Sequence, residues 1–394
     1  MWKSFKIGSI FGIPLKLDIT FLLILPVFAF IIGHQIELVA ELLNDLFAAD
    51  IDIEAIEAGY WPWILGFSAA IGLFIGVIFH ELGHSLVAMR YGYPIESITL
   101  WLLGGVAAFK EMPEDWRQEF AIAIAGPIVS VFVGILSYGL FIATPSTADW
   151  IPAIGIDGML FVFSYLAILN VFLAAFNMLP AFPMDGGRIL RALLARNRPY
   201  AKATQQAARI GRIFAIIFGL FGLLVFNIIL IALAFFIYIA ASGEEQHVVL
   251  KAAFQDVTVG DIMTPRAQLK TVEAETDLRS LTQRMFRERH TGYPVIENGQ
   301  LVGLVTLEDA RSGGESALDQ LSVGDVMTDE LQTISSDIPV IIAIERMQRE
   351  RIGRLLVVDD GQFVGLVTRT DIMTALEILQ QSGPMAHAIP GTQV

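Results

Sequence analysis

The strongest constraint on the fold is the uneven distribution of apolar residues along the chain. Of the 394 residues, 55% are hydrophobic, and the long apolar runs all lie before Gly243. A helix needs about 20 apolar residues to cross a bilayer. Runs of this kind occur at 17–34, 62–90, 117–144, 157–180, 204–225 and 227–241. The sequence therefore predicts a polytopic α-helical protein of the cell membrane with about six spans, followed by a soluble part.

Basic residues predict how the spans are oriented. Cytosolic loops of membrane proteins are enriched in Lys and Arg. Here these residues precede the first run, follow the second, and separate the fourth from the fifth. If the soluble part is also cytosolic, the apolar stretch 213–241 must cross the membrane twice and turn near Asn227. Both termini are then cytosolic, whereas the alternative of a single bent helix would place the soluble part outside.

Two segments between the apolar runs differ from spanning helices. Residues 94–110 are rich in β-forming residues and are interrupted by Gly104–Gly105, which predicts a short strand pair at the membrane edge. Such a segment must be covered by protein or line a wet cavity. The segment Ile36–Phe47 has apolar residues at helical spacing beside acidic ones, which predicts an amphipathic helix on the outer surface.

The soluble part contains an internal repeat. Val259-Gly-Asp-Ile-Met-Thr recurs as Val323-Gly-Asp-Val-Met-Thr, and Gly303-Leu-Val-Thr-Leu-Glu-Asp recurs as Gly365-Leu-Val-Thr-Arg-Thr-Asp. Two copies in the same order predict tandem homologous units. The predicted boundaries are a membrane domain at 1–241, a linker at 242–256, tandem units at 257–376 (257–310 and 322–376) and a disordered tail at 377–394.

Composition excludes several kinds of chemistry and partner. The chain has no cysteine, so no thiolate can bind a metal ion or attack a substrate. A net charge of −14 argues against direct binding of nucleic acid. Any metal ion must therefore be held by His, Asp or Glu.

The second apolar run contains a pattern typical of a metal site, His80-Glu81-Leu82-Gly83-His84. On a helix, positions i and i+4 lie on one face, so both imidazoles can reach one ion with bonds of about 2.1 Å. Glu81 lies beside them and can accept a proton from a water molecule at the metal. Charged groups in a lipid-embedded helix cost about 2.5–3.5 kcal/mol each and call for a partner or a function. The pattern predicts a catalytic zinc site.

Asp185 is the candidate for a third ligand, since catalytic zinc sites usually have three protein ligands. It lies after the fourth run, in Asn177-Met-Leu-Pro-Ala-Phe-Pro-Met-Asp185-Gly-Gly. Pro180 and Pro183 break the helix there and let a carboxylate turn inward. His84 lies about 9 Å from the cytosolic end of its run, which is the depth at which Asp185 emerges. The alternative is that Asp185 caps the basic helix that follows it.

Together these two motifs resemble the site-2 protease family of intramembrane zinc proteases, over residues 1–241. The resemblance implies one Zn2+ ion per chain with ligands His80, His84 and Asp185, a general base at Glu81, and Asn177 near the substrate or the developing oxyanion. The activity it implies is hydrolysis of peptide bonds within or near the transmembrane segments of membrane-anchored substrates. The substrate would thus be a transmembrane protein or peptide in the lipid bilayer.

Two further segments carry the same resemblance. Residues 94–110 match a membrane-edge β-region, whose edge would pair with an extended substrate. Ala125-Gly126-Pro127, with Ser130 nearby, resembles the third span of the family. Small residues permit close helix packing, and Ser130 is expected to serve packing rather than chemistry.

The repeats of the soluble part resemble paired CBS domains, so an α/β CBS pair is expected. In this family a Thr lies near phosphate and an Asp binds ribose hydroxyls of an adenine nucleotide, ATP or AMP. The matching residues are Thr306 and Asp309 in the first copy and Thr368 and Asp371 in the second. An Asp can accept two hydroxyl hydrogen bonds. Alternatively these residues only cap helices, or the pair serves to form a homodimer.

Two other functions share part of this pattern. An ion channel or transporter with regulatory CBS domains also joins spans to such a pair, and His80, Glu81 and Asp185 would then line an ion path. Such a protein does not need this His spacing, and the spans show no internal repeat. A zinc-binding but inactive homologue would not need Glu81. The intramembrane protease, regulated by nucleotide at the CBS pair, is therefore the preferred prediction.

Overall fold

The computed structural model of the protein describes residues 4–102, 104–109, 113–145, 151–312 and 320–382. The chain divides into two compact units, Met1–Gln246 and His247–Val394.

The first unit is built mainly of helices. They are α1 (Ile19–His34), α2 (Ile36–Phe47), α3 (Ile53–Glu57), α4 (Trp61–Arg90), α5 (Trp116–Ala143), α6 (Ala153–Asn177), α7 (Asp185–Ala195), α8 (Tyr200–Leu224) and α9 (Ile228–Ala253). Within the described residues, five of them are long and apolar enough to cross a membrane, namely α4, α5, α6, α8 and α9. A sixth span results if α1 and α2, which are bent by 67° relative to each other, count as one. The prediction of a polytopic membrane domain with about six spans is confirmed.

The apolar stretch 213–241 forms the predicted helical hairpin rather than a single bent helix. Residues 225–227 separate α8 from α9, and Phe226 has a positive φ of 53°. The Asn227 side chain accepts a hydrogen bond from the Leu230 amide at 3.0 Å and so caps α9. Ala215 of α8 and Ile237 of α9 lie in one buried cluster, so the two helices pack against each other.

A four-stranded sheet accompanies the helices. Its strands are β1 (Ser4–Ile10), β2 (Ile13–Asp18), β3 (Ile95–Trp101) and β4 (Gly104–Phe109), in that order. The predicted strand pair at 94–110 is β3 with β4, of which residues 103 and 110 lie outside the described part. The β1–β2 hairpin was not predicted, and β2 pairs in parallel with β3. Because Leu17 and Asp18 belong to β2, the first helix begins at Ile19 rather than at residue 17.

The sheet lies against α4, which carries the predicted metal ligands. Ile13, Ile98 and Ala107 from the sheet share a buried cluster with Leu82 of α4. The predicted amphipathic helix is α2, which buries Ala40 and Leu43 and exposes acidic residues. The sheet and α4 thus form one packed body around the site.

The second unit contains the two repeats, which share the order helix, strand, helix, strand, strand, helix; the first repeat has in addition a short strand and a 3-10 turn after its first helix. The first copy has α10 (Val259–Ile262), β5 (Thr264–Pro265), a 3-10 turn (Arg266–Gln268), β6 (Val272–Glu273), α11 (Leu278–Glu288), β7 (Gly292–Glu297), β8 (Gln300–Thr306) and α12 (Leu307–Ser312). The second has α13 (Val323–Val326), β9 (Thr333–Ile334), α14 (Val340–Arg349), β10 (Arg354–Asp359), β11 (Gln362–Thr368) and α15 (Arg369–Ser382). The sheet orders are β6-β7-β8 and β5-β11-β10-β9. The two α/β units expected from the internal repeat are therefore present.

Two of the predicted boundaries need correction. Residues 242–253, predicted as a linker, continue α9 as helix, and Leu250 in this part packs against the buried cluster that contains Phe254 and Val340. Residues 377–382, predicted as the start of a disordered tail, belong to α15 because Leu376 and Leu379 pack on the core of the second repeat. The remainder of that predicted tail, 383–394, lies outside the described residues.

Candidate metal centre

Three buried side chains from two helices, α4 and α7, converge inside the first unit. The Nε2 atoms of His80 and His84 on α4 are 3.2 Å apart. Asp185 Oδ2 lies 3.1 Å from each of them. All three residues are less than a tenth exposed, and among the described residues they form a group with the spacing of a metal site. The structure therefore brings together the three residues predicted as ligands.

Local chain geometry explains why Asp185 reaches α4. The loop 178–184 turns back after α6, and α7 begins at Asp185 itself, with Met184 in the cap position. A Cβ atom on Gly186 would lie 2.3 Å from the Leu179 carbonyl oxygen, so a glycine is needed for this close approach. The alternative in which Asp185 caps the helix is wrong, because its carboxylate contacts the two imidazoles.

The other ring nitrogens of both histidines have partners on α5. His84 Nδ1 donates to the carbonyl oxygen of Ile122 at 2.7 Å, and His80 Nδ1 lies 2.9 Å from Ser130 Oγ. Such bonds fix the orientation of an imidazole and leave Nε2 free for a metal ion. Ser130, which was expected to serve packing rather than chemistry, thus also contacts a predicted metal ligand, and this contact was not predicted. The sequence feature that could have indicated this contact is the position of Ser130 on α5, four residues after Gly126 and therefore on the same face of the helix.

The chemistry of this donor set fits a zinc ion. With Nδ1 protonated on each ring, two Nε2 lone pairs and one carboxylate oxygen face each other, which is repulsive unless a cation lies between them. A tetrahedral zinc ion with bonds of about 2.0–2.1 Å places its ligand atoms roughly 3.3–3.4 Å apart. The three separations of 3.1–3.2 Å are close to that value.

Glu81 lies between the histidines in sequence and contacts the sheet. Its Oε2 accepts a hydrogen bond from the Ala107 amide of β4 at 3.2 Å. A Cβ atom on Gly105 would lie 2.7 Å from Glu81 Cγ, so β4 passes directly over this side chain. The carboxylate is thus held beside the end strand of the sheet and next to the His80 ligand position.

Asn177 is the last residue of α6, at the start of the loop that leads to Asp185. Its side-chain amide donates to the Leu173 carbonyl oxygen at 3.0 Å. This bond lies within its own helix, so a role near the substrate or an oxyanion stays a prediction.

The predicted nucleotide residues occupy equivalent places in the two repeats. Asp309 Oδ2 accepts hydrogen bonds from the Thr306 amide and hydroxyl at 2.8 and 2.7 Å. Asp371 Oδ2 accepts the same pair of bonds from Thr368. In both repeats the Asp therefore caps the start of the following helix, as the alternative considered for these residues predicts.

Each pair also lines a cavity. Thr306 and Asp309 line one of about 650 Å³, and Thr368 and Asp371 line one of about 560 Å³. Arg354 lines both cavities and donates to Thr291 Oγ1 at 2.9 Å. Burial lowers the pKa of Arg354, and the neighbouring Asp309 carboxylate opposes that shift. Three further cations line the second cavity, namely Lys270, Arg289 and Arg369.

Comparison with known proteins gives consistent results for both units. The profile of peptidase family M50 matches residues 68–149 and 153–218, and the CBS domain profile matches 259–313 and 323–378. The chain is 36% identical to the zinc metalloprotease MJ0392 of Methanocaldococcus jannaschii, over 96% of this chain and 97% of that protein. It is 34% identical to the putative zinc metalloprotease Rip3 of Mycobacterium tuberculosis, over 82% of this chain and 83% of that protein. Among solved structures, the site-2 protease from Methanocaldococcus jannaschii is 40% identical, covers 62% of this chain and 95% of that one, and superposes with a TM-score of 0.41.

Proposed function

Because the chain belongs to the zinc metalloproteases of peptidase family M50, we propose that His80, His84 and Asp185 bind its catalytic zinc ion and that Glu81 is the general base. The protein is a multi-pass intramembrane metalloprotease that carries a CBS pair. The observation that carries the residue assignment is the convergence of three buried donor atoms within 3.2 Å of one another, from helices that are about 100 residues apart in sequence.

The proposed residues divide the reaction between them. When bound, zinc supplies a Lewis acid for the scissile carbonyl and lowers the pKa of water at the site. Glu81 accepts a proton from the attacking water and delivers it to the nitrogen of the leaving amine. Ser130 and the Ile122 carbonyl hold the two imidazoles in position. Asn177 would donate a hydrogen bond to the substrate or to the developing oxyanion.

The sheet supplies a place for an extended substrate. Every peptide carbonyl of a membrane-spanning helix is hydrogen-bonded, so a substrate must unwind locally before it is cut. β4 ends the order of the described strands, and its Ala107 amide points away from β3 toward Glu81. A substrate strand that pairs with this side of β4 would bring its backbone next to the base.

Removal of the metal tests this function. We expect 1,10-phenanthroline to abolish cleavage of a single-span substrate by the protein in detergent, and added Zn2+ to restore it, because the Lewis acid is lost and regained. Circular dichroism of the metal-free protein checks that the helices persist. The 1,7-isomer, which does not chelate, serves as the matched control and should have no effect. Full cleavage at less than a tenth of the stoichiometric zinc would contradict the proposal.

We also propose that both termini lie in the cytosol. The α8–α9 hairpin supports this orientation, because it returns the chain after residue 241 to the side on which the basic segment before α8 lies. Basic segments of membrane proteins are preferentially cytosolic. The second unit would then be cytosolic, and self-association through the CBS pair stays a prediction.

An adenine nucleotide, ATP or AMP, is the proposed ligand of the CBS pair. Support comes from the two cavities, each of which has a Thr and an Asp at the start of a helix and shares Arg354. Helix N-termini and cationic side chains suit phosphate groups. The four cations of the second cavity favour a ligand with several phosphates there.

ATP is expected to change the Michaelis constant for a single-span substrate, rather than the turnover of bound substrate. The ligand would act on the access of substrate to the active site and not on the zinc chemistry.

Asp371→Asn should weaken ATP binding about tenfold, since hydrogen bonds to a charged group contribute roughly 1.5–3 kcal/mol. Asp325→Asn is the matched control. Asp325 caps α13 through Ser322 with the same geometry and lies outside the lining of both cavities. Equal ATP affinity of both variants would contradict the site, and an unchanged Michaelis constant with saturating ATP would contradict regulation.

A further inference from the structure

A buried ion cluster, made of Glu119, Arg191 and Glu244, lies in the membrane unit beside the metal centre. Arg191 on α7 and Glu119 on α5 are each 1% exposed. Arg191 Nη2 lies 2.5 Å from Glu119 Oε1, and its Nη1 lies 2.5 Å from Glu244 Oε1. The guanidinium also stacks over the rings of Phe182 and Tyr200, at 5.0 and 4.8 Å from their centroids. The Arg191 head group therefore has two carboxylate partners and two aromatic partners.

Glu119 connects this cluster to the histidine ligands through helix α5. Glu119 is in the first turn of α5, three residues before Ile122. The Ile122 carbonyl oxygen accepts the hydrogen bond of His84 Nδ1. Three residues correspond to about 4.5 Å along a helix. The Glu119–Arg191 pair thus holds α5 at a point one turn from the contact that orients His84.

Arg191 connects the cluster to the segment that carries Asp185. Arg191 is on the helix that begins at Asp185, and Phe182, over which its guanidinium stacks, comes three residues before Asp185. A Cβ atom on Gly187 would lie 2.6 Å from the Phe182 amide nitrogen, so the loop folds tightly onto α7. Arg191 therefore contacts the chain both before and after the ligand carboxylate.

We propose that Arg191 is a positioning residue for Asp185, and that the contact between Glu244 of α9 and Arg191 determines how firmly Arg191 holds the Asp185 carboxylate. This proposal rests on the zinc assignment above. The Glu119 side chain is 1% exposed, whereas the Glu244 side chain is 36% exposed and can more readily leave the cluster. Glu244 is also on the helix that ends at Ala253, where the chain enters the CBS pair. A shift of α9 that withdraws Glu244 leaves the Arg191 head group with one carboxylate fewer and loosens the segment around Asp185.

Neighbouring residues on α9 provide a matched pair of variants for the test. Glu244→Gln removes the negative charge that faces Arg191. Glu245→Gln likewise removes the negative charge of the ion pair with Arg212 of α8, whose atoms are 2.7 Å apart. In the full-length protein in detergent, we expect Glu244→Gln to weaken zinc binding about tenfold, the size of effect seen when a group that supports a metal ligand is lost. It should also change the visible absorption spectrum of the Co2+-loaded protein, since Asp185 is less well placed. Glu245→Gln should change neither quantity.

Two further variants keep the outcomes distinct. Arg191→Met should weaken zinc binding more than Glu244→Gln does, and if it does not fold, the Glu244 and Glu245 pair still decides the question. If both α9 variants lower the melting temperature alike but leave zinc affinity and the Co2+ spectrum unchanged, the cluster serves stability alone and the proposal is wrong. His84→Ala must lose the metal; if it retains zinc with wild-type affinity, the ligand assignment fails rather than the role of Arg191.

Discussion

Glu81→Gln is expected to abolish proteolysis while the zinc ion stays bound. Glutamine has the shape of glutamate but cannot accept the proton of the attacking water, so the rate of the chemical step should fall by about 10²–10⁴-fold. Its side-chain oxygen can still accept the Ala107 amide hydrogen, so the contact with β4 is retained. The measurement is single-turnover cleavage of a single-span substrate, with zinc content determined on the same preparation.

The result separates the protease from the two alternatives considered on the sequence. An inactive zinc-binding homologue would show no cleavage to lose, and an ion transporter would show no stoichiometric zinc. Glu81→Asp is the control, since it keeps the carboxylate but shortens the side chain, and it should retain part of the activity. If Glu81→Gln keeps more than a tenth of wild-type cleavage, the base lies elsewhere. If it loses zinc, its role is structural.

The metal ligands could be predicted because their signals are local. His80 and His84 are one helical turn apart, so any helix places them on one face. Asp185 was predicted from the prolines and glycines around it, which determine the turn that carries it. The hairpin at Asn227 followed from the charges of distant segments, and the structure has it at that residue.

Non-local pairings account for what the sequence did not predict. β2 was missed because its place in the sheet depends on pairing with β3, about 80 residues later in the chain, and β1 joins the sheet through β2. The bond of Ser130 to His80 depends on how α5 is rotated against α4, which no periodicity of α5 alone specifies. Arg191 counted in the sequence only as one of the basic residues that mark a cytosolic segment. It is buried because carboxylates from α5 and α9 meet it there.

The boundary of α9 was also not predictable from hydropathy alone. Hydropathy locates the part of α9 that can lie in lipid, but the helix continues through polar residues to Ala253. Helix formation requires backbone hydrogen bonds and a packed face rather than an apolar composition. The predicted linker at 242–256 is therefore helical up to Ala253, which the loss of hydropathy at Ser242 does not reveal.

Gly126→Ala is expected to eliminate zinc binding and proteolysis together. A Cβ atom at this position of α5 would lie 2.2 Å from His84 Nε2 and 2.8 Å from His80 Nε2. Both distances are far below a van der Waals contact, so the two imidazoles must move away from Asp185 or α5 must shift. Two of the three ligands are then displaced, and we expect cleavage to fall at least 100-fold, as for loss of the metal. Zinc content and cleavage of the single-span substrate are measured on the purified variant.

The same substitution elsewhere on α5 excludes a general effect on the helix. Gly139→Ala also replaces a glycine of α5, and a Cβ atom there has no neighbour within 4 Å. Alanine favours a helix over glycine by about 1 kcal/mol at either position, so weakened helix formation cannot explain a loss at Gly126. Gly139→Ala should bind zinc and cleave as the wild type does. Wild-type zinc content in Gly126→Ala would show that the imidazoles do not face α5 at this point, and the ligand geometry on which the catalytic proposal rests would then be wrong.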